Sequence, residues 1–243
     1  MEVNEIDAYT ERLALEILRA GAVEIRDIDG GEDPLLYSSG NFGPGYVTIK
    51  NLVGRKQIIK PLTKHLAACV ARENPDLKFI AGNVTGGIIP AWLLSEYLEE
   101  YLGRIVPFVY IRDTRKKGGQ KELITGISNN PEISLGDNAI NVEELVNFAE
   151  TTCNGSGALR EAGYEVTHAA CILFYNNPVA IEALKTEKIK MVHLMTLPQL
   201  LEVAEKHGTH SPKAIAGYRE FLKDPLEWQK ERGFEPVKGG GTK

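Results

Sequence analysis

A chain of 243 residues with 43% hydrophobic and 25% charged residues has the composition of an ordinary globular protein. It is long enough to bury roughly 70% of its unfolded surface without disulfide staples. The net charge of −5 gives no bulk reason to expect a nucleic-acid or acidic-membrane partner, so any anion site must be built from a local basic cluster. The three cysteines, Cys69, Cys153 and Cys171, are widely spaced and form no C-x-x-C pair. That argues against a disulfide framework or a zinc site, and Cys69 and Cys171 read as small buried apolar residues. The acidic start Met1-Glu2-Val3-Asn4-Glu5 lacks the apolar stretch of a secretory signal, and no apolar run reaches the ~18 residues of a membrane span. The expected compartment is the cytoplasm.

Taken in chain order, Ile6, Tyr9, Leu13, Ile17 and Leu18 have helical spacing, and Gly21 is a natural C-terminal cap. Residues 22–54 carry Gly and Pro pairs between short β-like pieces and read as a small irregular β region. From residue 56 helices and strands alternate. Helices are expected near 56–73, 90–102, before Gly163, near 178–185 and over 197–206, with strands near 77–81, 105–111, 139–142, 166–175 and 190–194. This rhythm predicts an α/β domain with a parallel sheet covered on both faces. A charged helical extension spans about 211–234, with Tyr218, Phe221 and Trp228 as packing residues, and the tail 239–243 is expected to be disordered. No break marks a second domain: a hood over 22–54, a core over 56–206 and the extension make one unit.

Ligands in such sheets bind at the carboxyl ends of the strands, which singles out three loops. Gly82-Asn83-Val84-Thr85-Gly86-Gly87 joins a strand to a helix, where glycines let backbone N–H groups approach an anion and the helix start adds positive partial charge. It is neither a P-loop nor a dinucleotide fingerprint, and a plain tight turn has the same composition. The segment 112–121 holds five cations, Arg112, Arg115, Lys116, Lys117 and Lys121, with Gly118-Gly119. Such a loop can close over a pyrophosphate, or can simply be a solvated surface. Glu143-Glu144 falls at a strand's carboxyl edge, where two acids suit ribose hydroxyls or a hydrated Mg²⁺, or open a surface helix. Asn147, Thr151, Thr152, Asn154, Gly155 and Ser156 follow as small residues of the kind that surround a phosphate. His207 and His210 have no third metal ligand nearby in sequence.

In this order the three loops resemble those of the orotate phosphoribosyltransferases, across nearly the whole chain. Ala20-Gly21-Ala22-Val23, then Ser39-Gly40 with Pro44 and Tyr46, are similar to that family's first helix end and its hood motif. Residues 81–90 resemble its pyrophosphate loop and 110–119 its R-K-x-x-K-x-H-G loop. Residues 142–163 resemble its V-[ED]-D-x-x-T-T-G-x-S signature and the helix ending L-R-x-A-G, here Leu159-Arg160-Glu161-Ala162-Gly163. The resemblance implies a type I phosphoribosyltransferase fold, a sheet with helices on both faces and a small N-terminal hood. It also implies transfer from phosphoribosyl pyrophosphate to orotate with Mg²⁺, and a homodimer in which the basic loop completes the partner's site.

The same resemblance assigns Arg112, Arg115, Lys116 and Lys117 to a clamp on the leaving group. It assigns Thr85, Gly86, Gly87, Glu143, Glu144, Asn147, Thr151 and Thr152 to phosphoribosyl pyrophosphate, with the two acids ordering the metal. The base falls to Ser39, Tyr46, Lys50, Asn147 and Asn176. Departures are concentrated in particular places. The loop His falls on Gly118 and the Lys after the loop Arg on Asp113; the second acid is Glu144, not Asp. T-T-G becomes Asn147-Phe148-Ala149, although a shifted alignment places Thr151-Thr152 there. The base-side Lys and Arg fall on Ser38 and near Asn176. A transferase for another base, or a catalytically silent ligand sensor, are the alternatives that these departures leave open.

Overall fold

The computed structural model describes residues 6–37, 39–112 and 123–237. Helix α1 (Ala8–Arg19) starts on Asp7, whose carboxylate accepts from the Tyr9 and Thr10 N–H groups, and it buries Leu13, Ala14, Ile17 and Leu18. The irregular region resolves into two small antiparallel pairs. Strands β1 (Val23–Ile25) and β4 (Gly45–Val47) make one, and β2 (Leu35–Leu36) and β3 (Phe42–Gly43) make the other. A 3₁₀ helix (Ile49–Gly54) leads into α2 (Lys56–Glu73).

The core then runs β5 (Phe79–Asn83), α3 (Ile88–Leu102), β6 (Phe108–Ile111), β7 (Ile124–Thr125), β8 (Asn138–Val146), α4 (Glu150–Glu161), β9 (Glu165–Phe174), α5 (Pro178–Thr186), β10 (Lys190–Thr196) and α6 (Leu197–Lys206). The sheet order is β10-β9-β8-β5-β6-β7, parallel except for β7, which pairs antiparallel with β6. After β5 the chain moves outward to β6 and β7, then returns to the other side of β5 for β8. The boundary between β5 and β8 is therefore the topological switch point, where a crevice opens at the carboxyl ends.

Strand β9 shows why the sheet is interior: from Ala169 to Phe174 every residue is buried, as a strand covered on both faces requires. Helices α2 and α3 pack one face with α1 and α6 beyond them, and α4 and α5 pack the other. Helices α7 (Pro212–Lys223) and α8 (Pro225–Glu231) complete the chain, and Tyr218, Phe221 and Trp228 pack as expected, with ring centroids 5.9 and 5.3 Å apart in succession. Cys171 is buried, whereas Cys69 is only half-buried.

Three expectations differ from the structure. The strand expected at 139–142 runs to Val146, so the acid pair lies inside β8 rather than opening a helix. The strand expected at 105–111 begins only at Phe108, and β7 was not anticipated. Gly155 and Ser156 lie within α4 and are buried: a Cβ on Gly155 would overlap the Asn83 carboxamide, and Ser156 Oγ accepts from Asn141 Nδ2 at 3.1 Å. They let the helix approach the sheet instead of surrounding a phosphate.

Candidate active site

The switch point brings the loop after β5 against the end of β8. The Gly87 N–H returns to the Asn83 carbonyl at 3.0 Å, closing a tight turn before α3, and the Val84–Thr85 peptide within it is cis. Gly87 is required by space, and Gly86 leaves room for the Glu144 side chain. A Cβ at Gly87 would collide with the Val142 carbonyl and the Asn83 backbone, and a Cβ at Gly86 would overlap the Glu144 carboxylate. Thr85 is exposed at the rim.

Glu143 is 7% exposed and accepts a hydrogen bond from Asn83 Nδ2 at 2.8 Å, so a side chain from β5 holds the first acid of β8 in place. Glu144 is half-buried, and burial pushes its carboxyl above the usual range. Its own backbone N–H, the Lys50 ammonium and a hydrogen bond with the Glu143 side chain pull the other way. Two adjacent carboxyls are thus gathered beside a glycine turn. Lys50, assigned to the base from the sequence, is exposed and stands within electrostatic reach of Glu144.

Beneath them Asn141, wholly buried, donates to the Thr152 carbonyl at 2.8 Å and ties β8 to α4. The connection between β8 and α4 is short. Ala149 takes a left-handed φ of 64° and α4 begins at Glu150. A left-handed residue just before the helix is where the signature's Gly falls in the ungapped alignment, and the shifted alignment would place its Gly within the first turns of α4. Thr151 is exposed on the first turn, but Thr152 is 1% exposed, so its side chain is sealed and only its first-turn N–H can face an anion.

Asn147, half-buried, is held by Asn177, whose Nδ2 donates to both the Asn147 carbonyl and its Oδ1 at 3.0 and 3.1 Å. Asn176, half-buried with φ of 55°, lies at the carboxyl end of β9, and Asn177 caps α5. On the hood, Tyr46 is exposed and Ser39 half-buried. Arg112 leaves β6 with its N–H on the Leu123 carbonyl at 2.9 Å, next to the end of β5, so the β6–β7 pairing fixes the two stems of the basic segment. Arg115, Lys116 and Lys117 lie outside the described residues, as does Ser38.

The structure therefore gathers Thr85, Gly86, Gly87, Glu143, Glu144, Lys50 and the start of α4 around one crevice, with Arg112 at its edge. The sequence reading missed Asn83 and Asn141 as supports of this crevice; the signal available was a lone Asn within or at the end of an apolar run. His207 and His210 are engaged elsewhere, with Glu11 and the Val23 carbonyl.

No protein-family model matches the chain. Among curated proteins it is 28% identical to the orotate phosphoribosyltransferase of Bacteroides fragilis over 220 residues, covering 90% of this chain and 97% of that one. It is 29% identical to that of Cereibacter sphaeroides over 231 residues, covering 94% and 92%. The chain is thus similar to orotate phosphoribosyltransferases over most of its length. Its fold matches that of the UMP synthase of Leishmania donovani with a TM-score of 0.67 at 22% identity, over 88% of this chain and 42% of that larger one. These orotate phosphoribosyltransferase relatives are matched over nearly their full length.

Proposed function

We propose that the chain transfers a phosphoribosyl group from phosphoribosyl pyrophosphate to orotate, releasing pyrophosphate and forming orotidine 5′-monophosphate in pyrimidine nucleotide synthesis. The observation that carries this reading is the acid pair of β8 set against the glycine turn of β5 at the switch point. In the reaction the C1–oxygen bond to pyrophosphate breaks, pyrophosphate keeps the electron pair, and the base ring nitrogen bonds to C1 and gives up its proton. Positive charge grows on the sugar while negative charge grows on the leaving group, so fixed donors and cations must meet the pyrophosphate.

Backbone N–H groups of Thr85 and Gly86 meet it from below, and Gly87, whose own N–H closes the turn on the Asn83 carbonyl, seats the loop against β8. Arg112, Arg115, Lys116 and Lys117 clamp the pyrophosphate from the basic segment. Glu143 and Glu144 hold the ribose hydroxyls, and Lys50 balances their charge. The start of α4, with Asn147 and the first-turn N–H groups of Thr151 and Thr152, takes the sugar's 5′-phosphate. Two neighbouring carboxylates are a donor set that suits Mg²⁺, which keeps most of its shell as water and substrate oxygens. Among the described residues no group of three or more His, Cys, Asp and Glu gathers for a metal, so Glu143 and Glu144 would hold it together with the substrate. When bound it supplies neutralisation of the pyrophosphate charge. The base lies under the hood near Ser39, Tyr46 and Asn176.

The working unit is proposed to be a homodimer in the cytoplasm. Trp92, 53% exposed on α3 with half-buried Ile88, Ile89 and Leu93 beside it, supplies an apolar face directly after the glycine turn. No helix among the described residues is long and apolar enough to cross a membrane. Sedimentation at micromolar concentration that shows only a 26.8 kDa species would count against the dimer. The activity is tested by pyrophosphate release with orotate, uracil and purine bases. Turnover with orotate supports the reading. Preference for another base reassigns the acceptor, and tight phosphoribosyl pyrophosphate binding without turnover makes the chain a sensor.

A further inference from the structure

The hood's β3 and the turn that precedes it are covered by the chain's own C-terminal segment. Gln229 of α8 is wholly buried, and both ends of its amide are used. Its Oε1 accepts the Phe42 N–H at 2.7 Å and its Nε2 donates to the Pro225 carbonyl at 2.9 Å, which fixes the side chain against β3. The chain then turns at Gly233 and lays Phe234 on Phe42, with ring centroids 4.7 Å apart. Three residues later Asn41 takes the backbone of Val237 as a neighbouring strand would: Val237 N–H donates to Asn41 Oδ1 at 2.9 Å, and Asn41 Nδ2 donates to the Val237 carbonyl at 3.1 Å. Gly40 has no Cβ and a φ of 84°; a Cβ there would lie 3.1 Å from the Val237 side chain.

What the segment holds is connected to the sheet's carboxyl edge. The Tyr37 N–H donates to the Asn41 carbonyl at 2.8 Å, and the Tyr37 hydroxyl donates to the Gly45 carbonyl at 2.6 Å. Gly45 lies against the Tyr218 ring, whose hydroxyl donates to that of Tyr175 at 3.2 Å, and Tyr175 directly follows β9. Burial pushes all three phenols up, Tyr175 to about 12, so the relay stays uncharged. Sugar-side groups are anchored differently, on β5 and β8, by Asn83 and Asn141.

We propose that residues 234–237 form a strap, and that Gln229 and Asn41 are positioning residues that use it to set the base-side turn carrying Ser39, and with it specificity for the acceptor base. The inference rests on the transferase reading above. It gives the strap the role that a base-side cation fills in the resemblance, by ordering hydroxyl and amide donors that would otherwise lose entropy on binding.

The test is a set of steady-state constants for both substrates in the full chain. Val237→Pro removes the N–H donor to Asn41 together with the Val237 side chain beside Gly40, and Phe234→Ala removes the stack on Phe42. Each is expected to raise the orotate KM about fivefold, the worth of one neutral contact, with the phosphoribosyl pyrophosphate KM unchanged. Gln229→Leu is expected to act more strongly in the same direction, and Val237→Pro decides the matter if that variant fails to fold. Unchanged orotate KM in both milder variants overturns the strap. An equal rise for both substrates also overturns it, because a general loss of packing would do that. A wild-type chain that turns over no base overturns the transferase reading and the strap with it, whereas normal wild-type turnover with unmoved variants overturns the strap alone.

Discussion

The sugar side and the base side of the crevice are built by opposite means. The sugar side stands on two adjacent parallel strands; Asn83 of β5 holds Glu143, and Asn141 ties β8 to the backbone of α4. The base side stands on two- and three-residue strands of a hood, kept in place by contacts from residues nearly 200 positions away. The resemblance is uneven in a related way: the glycine turn and the acid pair keep the family's pattern, whereas the base side loses a Lys at Ser38 on the hood and an Arg near Asn176 after β9. A site whose geometry is dictated by the sheet tolerates little change. A hood held by long-range contacts can change its donors without disturbing the core.

The comparison breaks most visibly if the glycine turn accepts a side chain. Gly87→Ala puts a Cβ onto the Val142 carbonyl and the Asn83 backbone, so the loop must leave its seat. A displacement of about 1 Å at a reacting group costs about 100-fold, and a loss of that order in kcat/KM for phosphoribosyl pyrophosphate is expected, with far-UV circular dichroism unchanged. Activity within a fewfold of wild type would show that the turn does not carry the pyrophosphate.

Next in size is the basic segment. Lys116→Ala is expected to lower kcat by about tenfold or more while KM for phosphoribosyl pyrophosphate moves less, because the charge it meets develops in the transition state. Normal turnover in this variant would make the segment a solubilising surface.

Much of this division was legible in the chain itself. The alternation from residue 56, the glycine turn and the acid pair announce a parallel sheet with a switch point, since these are local patterns with local causes. The true length of β8 was not legible, because Asn141, Glu143 and Glu144 interrupt its apolar run and become tolerable inside a sheet only through partners on β5 and α4. Gly155 and Ser156 misled for the same reason: small residues on a helix serve close packing as readily as ligand contact. The strap had no local signal at all, because Gln229 and Asn41 are ordinary polar residues until the fold brings them together.

A smaller effect separates the two sides by pH. Burial raises the Glu144 carboxyl in the free protein, while ribose hydroxyls are held best by the ionised form. Affinity for phosphoribosyl pyrophosphate is therefore full above the raised value and lost as pH falls through it, starting at a higher pH than an ordinary carboxylate near 4.3 would give. The stability contribution of the same group has the opposite sign. It is present below the unfolded value and lost as pH rises through the raised one. Lys50→Met removes the cation that opposes the shift and should move the binding profile to still higher pH. Identical profiles for wild type and variant would place Lys50 away from the acids in solution.

The most direct test of the account is a calorimetric titration of phosphoribosyl pyrophosphate with Mg²⁺ into the wild-type chain and into the double variant Glu143→Gln, Glu144→Gln. Each charge-assisted hydrogen bond is worth roughly 1.5–3 kcal/mol. The wild type should saturate, and the variant should bind at least about tenfold more weakly while unfolding at a similar temperature. Equal affinity in the two proteins would contradict the central claim that the acids of β8 and the glycine turn of β5 form the sugar side of the site.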